Sequence, residues 1–155
     1  VKVAEVRDYL EQTFKPIAEH KNLDFKIVTD PGTPRNMITD ENRLQQILKN
    51  LLSNAFKFTE AGNVTLNIKP ANPSRRFEIE TLANAKTVVA FCVTDTGIGI
   101  PSDKQKLIFE AFQQADGTTS RKYGGTGLGL TISREIARLL GGLIEVESKP
   151  GEGST

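Results

Sequence analysis

The sequence lacks several features that would assign it to a class at once. Its 155 residues contain a single cysteine, Cys92, so no disulfide bond can form within the chain. Because Cys92 lies in the apolar run VVAFCV, we predict a buried, inert thiol. No run of about 20 apolar residues exists, and the N-terminus does not have the layout of a signal peptide. These absences indicate a cytoplasmic domain without direct membrane contact, and they leave open a membrane-anchored parent protein.

A strong charge of either sign is also missing. The net charge is +1, with 25% charged residues, so bulk electrostatics do not indicate a nucleic-acid partner. The hydrophobic content of 37% is typical of a globular protein. The length suits one domain over residues 1–155. The chain begins inside a helical pattern and stops at GEGST, where a strand begins, so we expect a piece of a longer protein.

Two common phosphate-binding motifs are absent as well. No glycine precedes a lysine, as a Walker A loop requires, and the dinucleotide pattern G-x-G-x-x-G fails at Gly97 and Gly127. Three glycine-rich elements remain: DTGIGI (95–100), GGTGLGL (124–130) and GEGST (151–155). Any one of them alone is usually just a turn. The second, however, leads directly into a predicted helix, whose free N–H groups and positive dipole end suit a phosphate.

Hydrophobic periodicity predicts an α+β two-layer sandwich. The predicted helices cover about 2–20, with Pro16 as a kink or a stop, then about 40–58, capped by Thr39 or Asp40, 103–112 and 128–140. Predicted strands cover 23–27, 64–68, 77–82, 87–95 and 143–148, and the apolar run over 87–95 indicates a central strand buried on both faces. The polar, glycine-rich segment 113–125 is long for a loop, which indicates a lid or binding loop.

The helix that contains NLLSNAFKFT carries the most suggestive polar side chains. Asn50 and Asn54 are four residues apart and share a face, and Lys57 follows one turn later. Amide oxygens are suitable ligands for Mg²⁺, and an ammonium suits phosphate as a point charge. The alternative is a pair of buried amides satisfied by the backbone, with a lysine extending to solvent. The presence of two amides at this spacing favours the functional interpretation.

Two further candidates have an open alternative. Asp95 ends a predicted strand at a glycine turn, where its carboxylate can accept a hydrogen bond from an exocyclic amine or simply cap the turn. Arg121 and Lys122 lie in the 113–125 segment, where a pair of cations can close over a polyphosphate or remain a solvated charged loop.

Taken together, these elements resemble those of one family. NLLSNAFKFT is similar to the N box, DTGIGI to the G1 box, FEAF to the F box, GGTGLGL to the G2 box and GEGST to the G3 segment of sensor histidine kinases, some of which are hybrid. The boxes occur in the family's order. The resemblance covers nearly the whole chain and implies the catalytic, ATP-binding domain with its Bergerat-type fold, a mixed sheet of about five strands covered on one face by about three helices.

The resemblance also implies roles for individual residues. Asn54, helped by Asn50, would ligate Mg²⁺ on the ATP phosphates, and Lys57 would contact phosphate, which makes these three the implied catalytic residues. Asp95 would accept a hydrogen bond from the adenine amino group. Phe109 and Phe112 would anchor the start of the lid. The remaining implied nucleotide-binding residues flank the base or form the lid and its end: Phe58, Gly97, Gly99, Ile100, Arg121, Lys122, Gly125, Thr126, Gly127, Leu128 and Gly129.

Two differences from related proteins narrow the range of expected reactions. Related ATPases carry a glutamate where Asn50 stands, and an amide cannot act as a general base at neutral pH, so water attack should be poor. The single histidine, His20, lacks the context of a phospho-acceptor and is interpreted as a helix-end surface residue. The acceptor histidine would therefore lie on a separate dimerisation domain, with a response regulator downstream, and the isolated domain should be a monomer. The alternatives are an ATP-hydrolysing clamp and a non-catalytic nucleotide-binding domain of a degenerate kinase.

Overall fold

The computed structural model describes residues 1–72, 75–96, 128–145, 148–149 and 153–154. The described helices and strands are, in chain order, α1 (Val3–Lys21), β1 (Asp24–Thr29), α2 (Glu41–Phe58), β2 (Asn63–Pro70), α3 (Glu80–Ala83), β3 (Val89–Asp95), α4 (Leu128–Leu139), β4 (Ser148–Lys149) and β5 (Gly153–Ser154). The predicted 103–112 helix, the F box and the 113–125 lid lie outside the described residues.

The strands form one mixed sheet in the order β1-β2-β3-β5-β4. β1 runs parallel to β2, whereas β2 and β3 are antiparallel, with Val64 opposite Asp95. The sheet consists mainly of β1, β2 and β3, because β4 and β5 have only two residues each. The α+β class is confirmed. The predicted count of about five strands is reached only when the two short strands β4 and β5 are included. The described residues form four helices, whereas about three were predicted.

One face of the sheet holds the main core. Side chains alternate along β2, so Val64, Leu66 and Ile68 are fully buried while Thr65 and Asn67 on the opposite face are half-buried. Helices α1 and α2 pack on the buried face. The helices are therefore grouped on one side, and a ligand between the layers would meet residues of both.

Helix α1 forms as its periodicity predicts and contributes Val3, Val6, Leu10, Phe14 and Ala18 to the core. Pro16 does not end the helix, which continues to Lys21. Pro16 is exposed, so water can satisfy the carbonyl that the missing N–H leaves without a donor. The ring of Phe14 stacks on Phe56 with centroids 5.6 Å apart, and Phe25 packs edge-on against both rings.

Helix α2 has a clear start and a clear end. The Asp40 carboxylate accepts a hydrogen bond from the backbone N–H of Arg43 at 3.1 Å, which satisfies one of the free donors of the first turn. The helix ends at Phe58, and Gly62 then adopts φ +111°, a conformation that side chains disfavour. The turn from Thr59 to Gly62 thus delivers the chain into β2.

Three expectations were wrong. Residues 77–82 do not form a strand: α3 occupies Glu80–Ala83, and Arg75 anchors the segment before it by pairing with Glu145 and covering the Phe77 ring at 4.7 Å. Residues 143–145 are not a strand, and β4 begins only at Ser148. β3 is half-buried along its length, Cys92 included, because helices cover only one face of the sheet there.

Helix α4 ends where the sequence predicts. Gly141 adopts φ +79°, and the N–H of Gly142 donates to the carbonyl of Ala137 at 2.8 Å. None of the helices in the described part of the chain is long and apolar enough to cross a membrane.

Candidate functional site

The end of helix α2 and the end of strand β3 lie at the same edge of the domain. The turn after α2 leads into β2, whose second residue, Val64, is opposite Asp95. Thr96 joins the two segments, since its N–H donates to the carbonyl of Asn63 at 3.2 Å and its hydroxyl accepts from the N–H of Asn63 at 3.1 Å. The last turns of α2 and the Asp95 carboxylate therefore belong to one region.

Asp95 lies on the face of the sheet that the helices cover. Directly opposed residues of an antiparallel pair share a face, and its partner Val64 is fully buried in the main core. Asp95 itself is half-buried. This position places a carboxylate at the rim of the layer between sheet and helices, where a ligand can reach it from solvent.

Helices α2 and α4 meet along a seam whose buried side chains are Ile47, Ile136 and Ala137. Next to this seam, Asn50 Nδ2 donates a hydrogen bond to Ser133 Oγ at 3.1 Å, and Ser133 is fully buried. Ile47 of α2 packs in the same cluster as Ile136 of α4, and Asn50 of α2 bonds Ser133 of α4. The residue numbers therefore increase along α2 in the direction in which they decrease along α4. The two helices therefore run in opposite directions at the seam.

This direction brings Asn54 toward the start of α4. Asn54 follows Asn50 by one turn on the same face, so it lies on the side of α2 that leads to the first turn of α4, which begins at Leu128 and includes Gly129. Asn54 is half-buried and Lys57, one turn further, is exposed. The backbone N–H groups of the first turn of α4, which have no partner within the helix, thus belong to the same region as the two amides and Lys57.

The end of α2 is also tied to α1. The ammonium of Lys21 donates a hydrogen bond to the backbone carbonyl of Phe56 in the last turn of α2. This contact satisfies a carbonyl that lacks a helical partner. The Lys21 side chain is thereby committed to the helix, whereas the exposed Lys57 extends toward solvent at the same end.

The region combines a carboxylate, two amides, an ammonium and a helix N-terminus. Among the described residues no group of three or more His, Cys, Asp and Glu side chains could hold a metal. The side-chain atoms of α2 in this region that could contribute to a divalent cation site are the amide oxygens of Asn50 and Asn54, together with water and ligand phosphates. That donor set suits Mg²⁺, which keeps several waters and is held by few protein groups.

Part of the predicted site lies outside the described residues, namely Gly97, Gly99, Ile100, Phe109, Phe112, Arg121, Lys122, Gly125, Thr126 and Gly127, together with the Phe58 side chain. His20 is exposed in the last turn of α1, as predicted. Sequence reasoning missed Ser133 and Thr96. The signal for Ser133 was a hydroxyl on the same helix face as Ile136 and Ala137, where an apolar residue is expected.

Comparison with known proteins gives a consistent result. A family model described as "Histidine kinase-, DNA gyrase B-, and HSP90-like ATPase" matches residues 39–155. The signal transduction histidine-protein kinase BarA of Escherichia coli (strain K12) is 42% identical over 135 residues, 87% of this chain and 14% of that protein. The autoinducer 2 sensor kinase/phosphatase LuxQ of Vibrio parahaemolyticus is 42% identical over 147 residues, 94% of this chain and 16% of that protein. The chain thus spans 14–16% of the length of these relatives.

Solved structures show the same similarity. The crystal structure of full-length ShkA in complex with AMPPNP superposes with a TM-score of 0.77 at 32% identity, covering 99% of this chain and 28% of that one. The catalytic domain of histidine kinase ThkA in a nucleotide-free form superposes with a TM-score of 0.73 at 25% identity, covering 99% of this chain and 90% of that one. Both matched chains contain a domain with this α+β fold, and in ThkA that domain is the catalytic domain of a histidine kinase.

Proposed function

This chain belongs to the family of histidine kinase-, DNA gyrase B- and HSP90-like ATPases, and on that premise we propose that it is the ATP-binding catalytic domain of a two-component sensor kinase. It binds Mg-ATP and supplies the γ-phosphoryl group to a histidine on a separate dimerisation domain. The phosphoryl group then passes to a response regulator. The domain itself is a cytoplasmic monomer of residues 1–155, with 113–125 as the lid over the nucleotide.

The observation that carries this proposal is the convergence at one edge of the domain. The Asp95 carboxylate at the end of β3, the amides of α2 and the N-terminus of α4 all belong to that edge. An adenine nucleotide requires an acceptor for its amino group at one end and cationic or N–H donor groups for its phosphates at the other. The edge supplies both kinds of group.

Each side chain then has a defined task. Asp95 accepts a hydrogen bond from the adenine amino group and so discriminates against guanine, which presents a carbonyl there. Lys57 and the first turn of α4 bind phosphate oxygens. Asn54, with Asn50, would hold Mg²⁺, which when bound neutralises charge on the phosphates. Phosphoryl transfer depends mainly on such positioning and charge neutralisation.

Asn50 favours a protein acceptor over water. A side-chain amide cannot accept a proton at neutral pH, so it cannot activate water as a carboxylate would. In addition, Asn50 uses its NH₂ group to bond Ser133. The domain should therefore hold ATP with little hydrolysis until the acceptor histidine is presented.

The proposal is tested by titrating ADP into the chain by calorimetry in the presence of Mg²⁺. We expect Asp95→Asn and Asn54→Ala each to weaken binding at least about tenfold. The first removes the charged acceptor proposed for the adenine amino group, and the second removes the oxygen proposed for the metal. Asp8→Asn is the matched control, since Asp8 is exposed on α1 and its change should leave binding intact. Binding that survives both site substitutions would refute the assignment.

The transfer step needs a second assay. Radiolabelled ATP is mixed with the chain and the dimerisation domain of its parent protein. We expect label on the acceptor histidine and little release of free phosphate. Rapid phosphate release by the chain alone would favour an ATP-hydrolysing clamp, and binding without transfer would favour a non-catalytic nucleotide-binding domain.

A further inference from the structure

The contact between Asn50 and Ser133 links two elements of the candidate site, α2 and α4. We infer that Ser133 is a positioning residue, one that fixes which end of the Asn50 amide faces the cation. This inference rests on the proposed function. Because Nδ2 is committed to Ser133 Oγ at 3.1 Å, the other branch of the amide, Oδ1, is the atom left to accept. In this arrangement the Ser133 hydroxyl acts as the acceptor for Nδ2. The oxygen, which is the only atom of the amide that can serve as a Mg²⁺ ligand, is thereby left for the cation.

The burial of Ser133 supports a specific role for its hydroxyl. Ser133 is fully buried beside an otherwise apolar seam, where a hydroxyl is costly unless it is hydrogen-bonded. One turn later on the same face, the seam accommodates Ala137, which is also buried. Alanine is the better helix former, and its presence one turn away shows that this face accepts a small apolar side chain. Neither helix formation nor packing therefore requires the oxygen of Ser133. The side chain of Asn50 does require it, because this oxygen accepts the hydrogen bond from Asn50 Nδ2.

The same bond sets the spacing of the site. Ser133 lies in the second turn of α4, which begins at Leu128, within the glycine-rich element 124–130. Tying this turn to Asn50 fixes the first turn of α4 relative to the face of α2 that carries Asn50 and Asn54. A phosphate group bound at the N-terminus of α4 and a cation bound by α2 would then be held at a constant separation. Ser133 thus couples binding of the metal to binding of the nucleotide without contacting either.

The test measures how much Mg²⁺ improves ADP binding, by calorimetry with Mg²⁺ and with excess EDTA, for the complete chain. In Ser133→Ala we expect the Mg²⁺-dependent gain in affinity to fall about fivefold, the size of one net hydrogen bond. ADP binding in EDTA should stay at the wild-type value. In Asn50→Ala the gain should fall at least as far, and the double variant should be no worse than Asn50→Ala alone.

Ile136→Val is the matched control. It removes one methyl group from the same seam and leaves the Asn50–Ser133 bond intact, so it should lower the melting temperature without changing the Mg²⁺-dependent gain. If Asn50→Ala lowers the gain and Ser133→Ala does not, the positioning role is refuted while the proposed function stands. If Ile136→Val lowers the gain as Ser133→Ala does, the role is structural only and the inference is refuted. If the wild-type chain does not bind ADP, both the inference and the proposed function are refuted.

Discussion

Gly62 is a point where backbone geometry and the candidate site depend on each other. Its φ of +111° lies outside the range that side chains adopt readily. A Cβ atom built on it would overlap Thr96 Oγ1 and lie 3.3 Å from Thr96 Cβ. Since Thr96 follows Asp95 directly, a residue forced in at position 62 displaces the segment that carries the proposed adenine-binding carboxylate.

The expected cost of Gly62→Ala has two parts. An alanine held at this φ costs about 1–3 kcal/mol of folding free energy. Displacing Thr96 also breaks the hydrogen bond from the Asn63 N–H to its hydroxyl, worth about 1 kcal/mol. We therefore expect a loss of about 2–4 kcal/mol, which leaves a domain of ordinary stability folded. Because the chain has no tryptophan, urea unfolding should be followed by circular dichroism.

Gly141→Ala is the matched control for this prediction. Gly141 also has a positive φ, +79°, and an added Cβ would lie 3.1–3.2 Å from atoms of Thr81, away from Asp95. It should cost a similar amount, about 1–3 kcal/mol, through the same backbone strain. ADP affinity, however, should fall only in Gly62→Ala. A loss of folding free energy below about 1 kcal/mol in Gly62→Ala would contradict the strain at this position. An equal fall of ADP affinity in both variants would contradict the link between Gly62 and Asp95.

Three further predictions concern the helices and the metal. Leu52→Ala should lower the free energy of unfolding in urea by about 3–4 kcal/mol, because Leu52 is fully buried between α2 and the sheet. A loss below about 1 kcal/mol would contradict this packing. Asp40→Ala should cost about 1 kcal/mol through loss of the α2 cap, and Asp40→Ser should recover most of it. Removing Mg²⁺ with EDTA should weaken ADP binding about tenfold in calorimetry, and unchanged binding would argue against a metal held by Asn50 and Asn54.

Local pattern was sufficient to predict the strongly periodic elements. The alternation of Val64, Leu66 and Ile68 predicted β2 and its buried face, and the spacing of the apolar residues predicted α1 and α2. The sequence also predicted that Asn50 and Asn54 share one face of α2, because residues four apart on a helix lie on the same face whatever surrounds them.

Tertiary contacts explain what the sequence could not predict. Phe77 and Ile79 alternate as in a strand, yet the segment is held by the pairing of Arg75 with Glu145, 70 residues away. The bond from Asn50 to Ser133 spans 83 residues. No rule of sequence spacing connects positions so far apart, so these contacts can be identified only in the folded structure. β3 was predicted to be buried on both faces because its composition is apolar, whereas its burial depends on which face the helices cover.

In the proposed site, Asp95, the amides of α2 and the N-terminus of α4 bind one Mg²⁺–adenine nucleotide. A crystal structure of the chain with Mg²⁺ and a non-hydrolysable ATP analogue tests it most directly. We predict an Asp95 carboxylate oxygen within hydrogen-bonding distance of the adenine amino group, Asn54 Oδ1 on the metal, and Asn50 Nδ2 still bonded to Ser133. A nucleotide bound elsewhere, or a metal without an amide ligand from α2, would rule out the proposed site.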